Sequence, residues 1–274
     1  MQSRLSSYLA HSNLVADAAS AYAIEVRFLG GLTPAQEDAF KRAADRWTSV
    51  IVGDLPSVMV DGEVVDDLLI LAQGVPIDGP GSILGQAGPT HLRPESAGAA
   101  SVLPVKGIMS FDTADLEKME EEGTLVDVIT HEMGHLIGIG TIWSRKNLLG
   151  GAGTSNPTFS GQAAQAEYGA LKETRPEAVP VENMGGPGTR DSHWREVVFQ
   201  NELMSGFIAA ADNPISRLTV GSLQDLGYEV NLEAAEPYTL PNLMALAEAG
   251  ALIAQARPHA LPVIPITMPD DSLR

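Results

Sequence analysis

The sequence predicts a single α+β domain in which a sheet-bearing half is followed by a loop-rich, helical half. Apolar and charged residues alternate at Ala23–Phe28, the period-two pattern of a strand with one buried face. Apolar residues recur at helical spacing after Thr33 and again within residues 124–136. Residues 139–192 are rich in Gly, Pro, Ala and Glu, which favours a long segment dominated by loops.

The first half is expected to alternate strands with helices. Thr33 is a suitable N-cap with Pro34 at the first helical position, and Gly53 ends the apolar repeat that follows. The dense Gly and Pro content between Gly74 and Gly98 predicts loops and a short edge strand. The remaining predicted elements of this half are strands at Asp67–Ala72 and Val105–Phe111 and helices at Thr113–Glu122 and Thr124–Leu136.

The second half is expected to be mainly helical between its loops. Its predicted helices are Gly161–Lys172, Ser216–Leu226 and Pro241–Arg257. The Pro-rich end that begins at Pro258 is expected to be poorly ordered. The chain is therefore divided into an amphipathic N-terminal leader helix at residues 1–22, an upper subdomain at 23–138 and a lower subdomain at 139–274.

Composition excludes several functional classes. The chain has 35 acidic and 17 basic residues, so its formal charge of −18 repels nucleic acid and anionic lipid. It has no cysteine, which rules out disulfides, thiolate metal sites and a cysteine nucleophile. No apolar run is long enough to span a membrane, and no clear signal peptide or anchor is present. A protein or peptide is the expected partner, and the oligomeric state is left open.

The motif His131-Glu132-Met133-Gly134-His135 lies on the helix predicted at Thr124–Leu136. Positions i and i+4 share one face of a helix, so both imidazoles can reach a single metal ion. Glu132 projects about 100° round from His131, near the place of a metal-bound water. The same five residues also occur by chance in ordinary helices, so the motif needs support from elsewhere in the chain.

Gly138 gives partial support, because a glycine three residues after His135 allows the helix to stop sharply. In the compact form of this motif a third histidine follows three residues after the glycine. Thr141 occupies that position here. Either the compact motif does not apply to this chain, or the third ligand comes from further along, from a histidine or from a glutamate such as Glu167 or Glu173.

Two later segments resemble a third histidine and a methionine turn: His193 in the run 191–196, and Met204 in the run 201–206. With the split motif, they make the chain similar to the leishmanolysin-like zinc metallopeptidases of the metzincin clan. The resemblance extends over Pro104–Val230. Upstream, the segments Gly31–Gln36 and Gly79–Pro89 are similar to bacterial members.

This resemblance implies a zincin-like metzincin catalytic domain with a twisted mixed sheet and the active-site helix in the upper half. One zinc ion would be bound by His131, His135 and His193, with Glu132 as general base in peptide-bond hydrolysis. Met204 would form an apolar floor below the histidines, and Gly138 would be the turn glycine. A secreted or extracellular bacterial protein is expected.

Three alternatives follow from the residues. A gluzincin-type peptidase would use Glu167 or Glu173 as its third ligand. A non-catalytic adhesin or binding module would keep zinc for structure alone. Several aspartates could also supply oxygen ligands to calcium, although they lack the spacing of a known calcium loop: Asp54, Asp61, Asp66, Asp67 and Asp78.

If the chain is a peptidase, an extended substrate is expected to pair with an edge strand at Ser82–Arg93.

Overall fold

The computed structural model describes residues 5–12, 21–79, 81, 84–209, 212–242 and 260–274. These residues form an α+β structure, which confirms the predicted fold class. The helices are α1 (Pro34–Val50), α2 (Thr113–Glu122), α3 (Leu125–Ile137), α4 (Gln162–Leu171), α5 (Glu196–Phe199) and α6 (Arg217–Leu226). No described helix has the length and apolar content needed to cross a membrane.

The main sheet is mixed and has the strand order β1-β2-β5-β7-β6-β11, with β12 also paired to β6. Its strands are β1 (Ser6–His11), β2 (Ala23–Gly30), β5 (Leu68–Val75), β6 (Gly85–Leu92), β7 (Pro104–Asp112), β11 (Ala260–Pro262) and β12 (Ile266–Thr267). A two-stranded sheet joins β3 (Val58–Val60) to β4 (Glu63–Val65). Strands β2, β5 and β7 run parallel, whereas β6 runs antiparallel to β7.

Helix α1 begins with the cap that the sequence predicts. The Thr33 hydroxyl accepts a hydrogen bond from the Gln36 backbone, and the Gln36 side chain accepts one from the Thr33 backbone, which together form a capping box. The apolar face of α1 is buried at Phe40 and Trp47. The Trp47 indole donates to the Thr130 carbonyl at 2.9 Å, so α1 is fixed against α3.

Helix α3 packs very closely against the sheet. A Cβ atom added to Gly107 of β7 would lie 2.5 Å from the Cγ atom of Leu136 on α3. Only a glycine permits this approach, because a side chain there would overlap the helix. The close packing fixes the height and orientation of the helix that carries the His131–His135 motif.

The second half is built around a small aromatic cluster. Trp143 and Trp194 are fully buried and stack with ring centroids 4.8 Å apart, with Phe159 against both. The short strands β8 (Leu149–Gly150), β9 (Thr158–Phe159) and β10 (Val179–Pro180) form a three-stranded sheet beside this cluster. Trp194 directly follows His193, so the cluster holds the chain next to that histidine.

Two expectations about the ends of the chain are wrong in the described residues. Ser6–His11, predicted within a leader helix at residues 1–22, is a strand that pairs antiparallel with β2 and buries Ala10. The C-terminal end, predicted to be poorly ordered and assigned to the lower subdomain, supplies β11 and β12 to the main sheet. Backbone pairing with a free sheet edge explains both differences. The helix predicted at Pro241–Arg257 lies almost wholly outside the described residues, and the subdomain boundary at residue 138 stays a prediction.

Candidate active site

The motif helix α3 ends where the sequence predicts a sharp stop. Gly138 has a φ of 127°, and its N–H donates to the carbonyls of Gly134 and His135. The Thr141 hydroxyl also donates to the His135 carbonyl, at 2.7 Å. Thr141, which replaces the third histidine of the compact motif, therefore caps the end of the helix. At the other end of the helix, the Thr124 side chain makes no capping hydrogen bond.

Three histidine side chains converge in the described structure. The Nε2 atom of His193 lies 3.0 Å from that of His131 and 2.9 Å from that of His135, and the last two are 3.1 Å apart. All three residues are buried. His193 lies 58 positions after His135, so the inserted segment returns the chain to the motif helix.

Each of these rings is oriented by a backbone carbonyl. The Nδ1 atoms of His131, His135 and His193 lie 2.7, 2.9 and 2.9 Å from the carbonyl oxygens of Leu203, Ile139 and Thr189, respectively. A carbonyl only accepts hydrogen bonds, so each Nδ1 must carry the proton. In a neutral ring the Nε2 lone pair is then available, and all three lone pairs point to one place.

This donor set fits a divalent zinc ion. Three neutral imidazoles with an open fourth position are the ligand set of many catalytic zinc sites. In a tetrahedral site with Zn–N bonds of about 2.0–2.1 Å, ligand nitrogens lie about 3.3 Å apart. The three Nε2 separations, 2.9 to 3.1 Å, are close to that value. The histidines form one of two groups in the described residues that could bind a metal.

Glu132 lies beside the histidine group at the wall of a cavity of about 360 Å³. Glu132 and His131 both line this cavity, and both are buried. The apolar part of the wall is formed by Leu84, Met119, Val128, Phe207 and Ile208, and Asp115, Lys118 and Glu122 contribute charged groups. A carboxylate and a potential metal ligand therefore face the same cavity, whose wall is partly apolar.

A comparison with protein families places this site in a known context. The family model described as leishmanolysin matches residues 56–245, a region that contains the motif helix, His193 and Met204. The chain belongs to the leishmanolysin family. Members of this family are zinc metalloendopeptidases.

Individual relatives in the leishmanolysin family match shorter regions. A leishmanolysin-like peptidase of Caenorhabditis elegans is 44% identical over 62 residues, which are 22% of this chain and 9% of the relative. A leishmanolysin homolog of Crithidia fasciculata is 28% identical over 146 residues, 48% of this chain and 21% of the relative. The chain thus matches a small part of these long proteins. Both relatives are eukaryotic, so the predicted affiliation with bacterial members is not supported.

Met204 lies directly below the motif helix of this leishmanolysin family member. It is fully buried, and a Cβ atom added to Gly134 would lie 2.7 Å from its sulfur and 2.8 Å from Trp47. The glycine within the motif is therefore required by the packing of Met204 and Trp47 against the helix backbone. The sequence pattern predicts no role for Gly134, because the close approach of Met204 and Trp47 to it depends on the fold.

Glu202 is a further residue that the sequence did not single out. Its fully buried carboxylate accepts hydrogen bonds from the Met204 N–H at 2.6 Å, from the Thr219 hydroxyl at 2.5 Å, and from the hydroxyl and N–H of Ser216 at 2.6 and 3.2 Å. Burial raises the pKa of Glu202 above its usual value, against the effect of these hydrogen bonds. The Thr219 hydroxyl also accepts from the Trp194 indole at 2.9 Å. Glu202 thus links Met204 to helix α6 and, through Thr219, to Trp194, the residue after His193.

A second acid, Glu196, is partly buried near the chain segment that carries Met204. Burial is the largest cause that raises the pKa of Glu196 to about 7, and nearby Glu182 raises it further. The Glu182 carboxylate accepts from three backbone N–H groups, those of Asn183, Met184 and Glu196. Both acids approach Gly206, which lines the cavity.

The other residues considered as ligands lie outside the histidine group. Glu167, on α4, forms an ion pair with Arg217 at 2.9 Å, and neither it nor Glu173 belongs to the histidine group. Carboxylate oxygens of Asp54, Asp66 and Asp67 do lie within 4.8 Å of one another. However, Asp67 accepts from two backbone N–H groups and Asp66 from Ser57, so these oxygens have structural partners. Asp61 pairs with Lys106, and calcium is not supported.

Proposed function

We propose that this chain is a zinc-dependent endopeptidase with a metzincin arrangement that hydrolyses extended polypeptides. The observation that carries the proposal is the convergence of three Nε2 atoms, each on a ring whose Nδ1 is bonded to a backbone carbonyl. In this proposal, His131, His135 and His193 hold the zinc ion. The matched regions cover only 9 to 21% of the length of the relatives. That this chain shares their peptidase activity is therefore part of the proposal.

Bound zinc would polarise the scissile carbonyl and make a water molecule more acidic. Glu132 is the general base in this proposal, because it shares the cavity wall with His131. Its carboxylate takes the proton from the attacking water and then gives it to the departing amine. Met204 and Gly138 serve as supports, the first by filling the space below the helix and the second by ending it.

The substrate is an extended segment of a protein or peptide. Leu84, next to the first residue of β6, lines the cavity with Glu132. A peptide paired with the outer edge of β6 would thus pass the candidate catalytic residues. Strand addition requires an unpaired backbone, so unfolded or flexible segments are expected to be cleaved. The apolar part of the cavity favours a medium or large apolar side chain beside the cleaved bond.

The central experiment is Glu132→Gln, which keeps the size of the side chain and removes the base. The variant is expected to fold and to bind one zinc ion, with casein hydrolysis reduced by about 10²–10⁴-fold. Glu121→Gln, an exposed acid on the nearby helix α2, is the matched control and is expected to retain activity. Hydrolysis by Glu132→Gln at the level of that control would remove Glu132 from the mechanism.

Zinc content distinguishes the ligand sets. His193→Ala is expected to lose bound zinc, whereas Glu167→Ala and Glu173→Ala are expected to keep it. The reverse result would favour the gluzincin-type arrangement. A fluorogenic peptide library tested with and without a chelator addresses the remaining alternative, because a binding module would cleave nothing in either condition.

We also propose that the protein acts outside the cell, as leishmanolysin family members typically do. Stability without disulfides would then depend on packing and on bound metal, because the chain has no cysteine. Immunodetection in the culture medium and in washed cells of the native host tests this localisation. Protein confined to the cell interior would contradict it.

A further inference from the structure

The outer edge of β6 is occupied in the structure by the C-terminal part of the chain. Strand β11 pairs in parallel with Gly85–Ala87, and β12 pairs in parallel with His91 and Leu92. Residues 260–267 are called the C-terminal strap below. The strap is the last member of the main sheet on this side among the described residues.

The strap lies at the end of β6 that is next to the candidate active site. Leu84, which immediately precedes β6, and Gly81 line the cavity together with His131 and Glu132. Strand β11 pairs with the first three residues of β6, so its backbone runs beside this end of the cavity wall. The strap therefore uses the same backbone edge that an extended substrate would need.

Beyond its C-terminal end the strap is followed by residues that are attached to the upper half. The Met268 N–H donates to the Leu92 carbonyl at 2.8 Å, and the Arg274 N–H donates to the Ser57 carbonyl at 2.9 Å. Met268 and Leu273 also pack against the apolar cluster that contains Val58. These contacts hold residues 268–274 on the upper half while the strap itself could leave β6.

The side-chain contacts described for residues 263–267 of the strap are few. Ile264 and Ile266 are 89% and 59% exposed, respectively. The Arg145 guanidinium, from the segment after the motif helix, donates to the Pro265 carbonyl and to the Thr267 hydroxyl, both at 3.4 Å. Val263 packs over Gly88 of β6, where an added Cβ atom would lie 3.3 Å from the Val263 Cβ atom. Backbone pairing is thus the main described contact between the strap and β6.

We propose that the outer edge of β6 is a strand-addition surface with two mutually exclusive occupants, the C-terminal strap and the substrate. One strand edge offers one row of N–H and C=O groups, so a second strand cannot pair there until the first has left. The strap holds the enzyme in a latent state, and substrate binding requires its displacement. This inference rests on the proposed peptidase function. It also supplies a form of latency that needs no thiol, in a chain that has no cysteine.

A reversible covalent lock tests the proposal in the 274-residue chain. Gln86 and Leu261 are register partners in parallel strands, a spacing that a disulfide can span. The double variant Gln86→Cys with Leu261→Cys has no other thiol with which to react. The control is Met59→Cys with Val64→Cys, register partners in the separate β3–β4 hairpin. A phosphine reductant opens either disulfide without adding a thiol that would bind zinc.

The oxidised lock is expected to lower kcat/KM for an unfolded protein substrate at least tenfold, and reduction is expected to restore it. The control pair is expected to be equally active in both states. Equal activity of the locked and reduced forms overturns the inference and leaves the peptidase proposal intact. Failure of the pair to cross-link, while the control pair does, overturns the pairing itself.

The lock also separates failure of the inference from failure of the proposed function. If the zinc-loaded, reduced form cleaves nothing, the function fails, and the binding of fluorescent casein peptides to both states then decides the inference. At least tenfold weaker binding by the locked form supports it, and equal binding overturns it. As a second variant, Arg145→Ala is expected to raise activity several-fold, whereas Lys146→Ala, whose ammonium group donates to Ala99, is expected to leave it unchanged.

Discussion

Replacement of Glu202 by Gln tests whether a buried carboxylate positions the histidines proposed to bind the metal. The carboxylate accepts four hydrogen bonds in the native structure, one from Met204 and the others from Ser216 and Thr219. A glutamine keeps one acceptor oxygen, which best serves the three donors from Ser216 and Thr219. Its amino group would then face the Met204 N–H, so that two donors oppose each other in a buried site.

The cost follows from the groups affected. Loss of one hydrogen bond to a charged acceptor costs about 1.5–3 kcal/mol, and an unsatisfied buried N–H costs about 1–3 kcal/mol. These effects overlap, so the free energy of unfolding is expected to fall by about 2–4 kcal/mol. Movement of Met204 would also displace the adjacent Leu203 carbonyl, which orients His131 at 2.7 Å. Loss of such an orienting contact weakens metal binding by about 10–100-fold.

Two measurements separate a positioning role from a purely structural one. Thermal unfolding reports stability, and competition with a chromophoric chelator reports zinc affinity. Ser222→Ala is the matched control, because Ser222 is equally buried on α6 and donates to the Thr219 carbonyl. It is expected to lose about 1 kcal/mol of stability with unchanged zinc affinity. A Glu202→Gln protein that is destabilised but binds zinc normally would refute the positioning argument.

Three further perturbations have defined outcomes. Gly134→Ala is expected to lower the unfolding temperature and the zinc affinity, because the new methyl group overlaps Met204 and Trp47. The free energy of unfolding is expected to fall by about 1–3 kcal/mol. Unchanged values in calorimetry and zinc titration would contradict this. Glu196→Gln is expected to stabilise the protein by at most about 3 kcal/mol at pH 8 and by almost nothing at pH 4. The sign follows because the pKa of Glu196 is about 7 in the folded protein, above its value in the unfolded chain, so ionisation of Glu196 destabilises the fold as pH rises from about 4 to 7. An equal gain in the free energy of unfolding at both pH values, measured in denaturant melts, would argue against this. Removal of zinc with a chelator is expected to lower the unfolding temperature reversibly, since a ligand at 1,000 times its Kd adds about 4 kcal/mol, and an unchanged melting curve would argue against a bound metal.

The motif helix could be predicted from the sequence because its signals are local. His131 and His135 are one helical turn apart, and Gly138 supplies the stop. The third histidine has no local signal, since nothing in the spacing shows which distant residue returns to the helix. The family resemblance points to His193, and the structure places its Nε2 atom within 3.0 Å of the others.

Residues whose importance depends on distant partners could not be found in this way. In the sequence alone, Glu202 is an ordinary acid two residues before a methionine. Its role becomes visible only when the fold places Ser216 and Thr219, 14 and 17 positions later, around it. The strands at both ends were missed for a related reason. The strand at Ser6–His11 forms because it pairs with the free edge of β2. The prolines around residues 258–265 predict loops, and only the pairing with β6 makes part of this segment a strand.

The contacts that orient the three histidines have a consequence for the evolution of the site. In each case the Nδ1 proton is accepted by a main-chain oxygen, that of Leu203, Ile139 or Thr189. Every amino acid carries that oxygen, so substitutions at these three positions can preserve ring orientation as long as the local chain path is kept. The orientation of the three imidazole rings therefore depends on the path of the backbone, and the side chains at these three positions can change among relatives without altering that orientation.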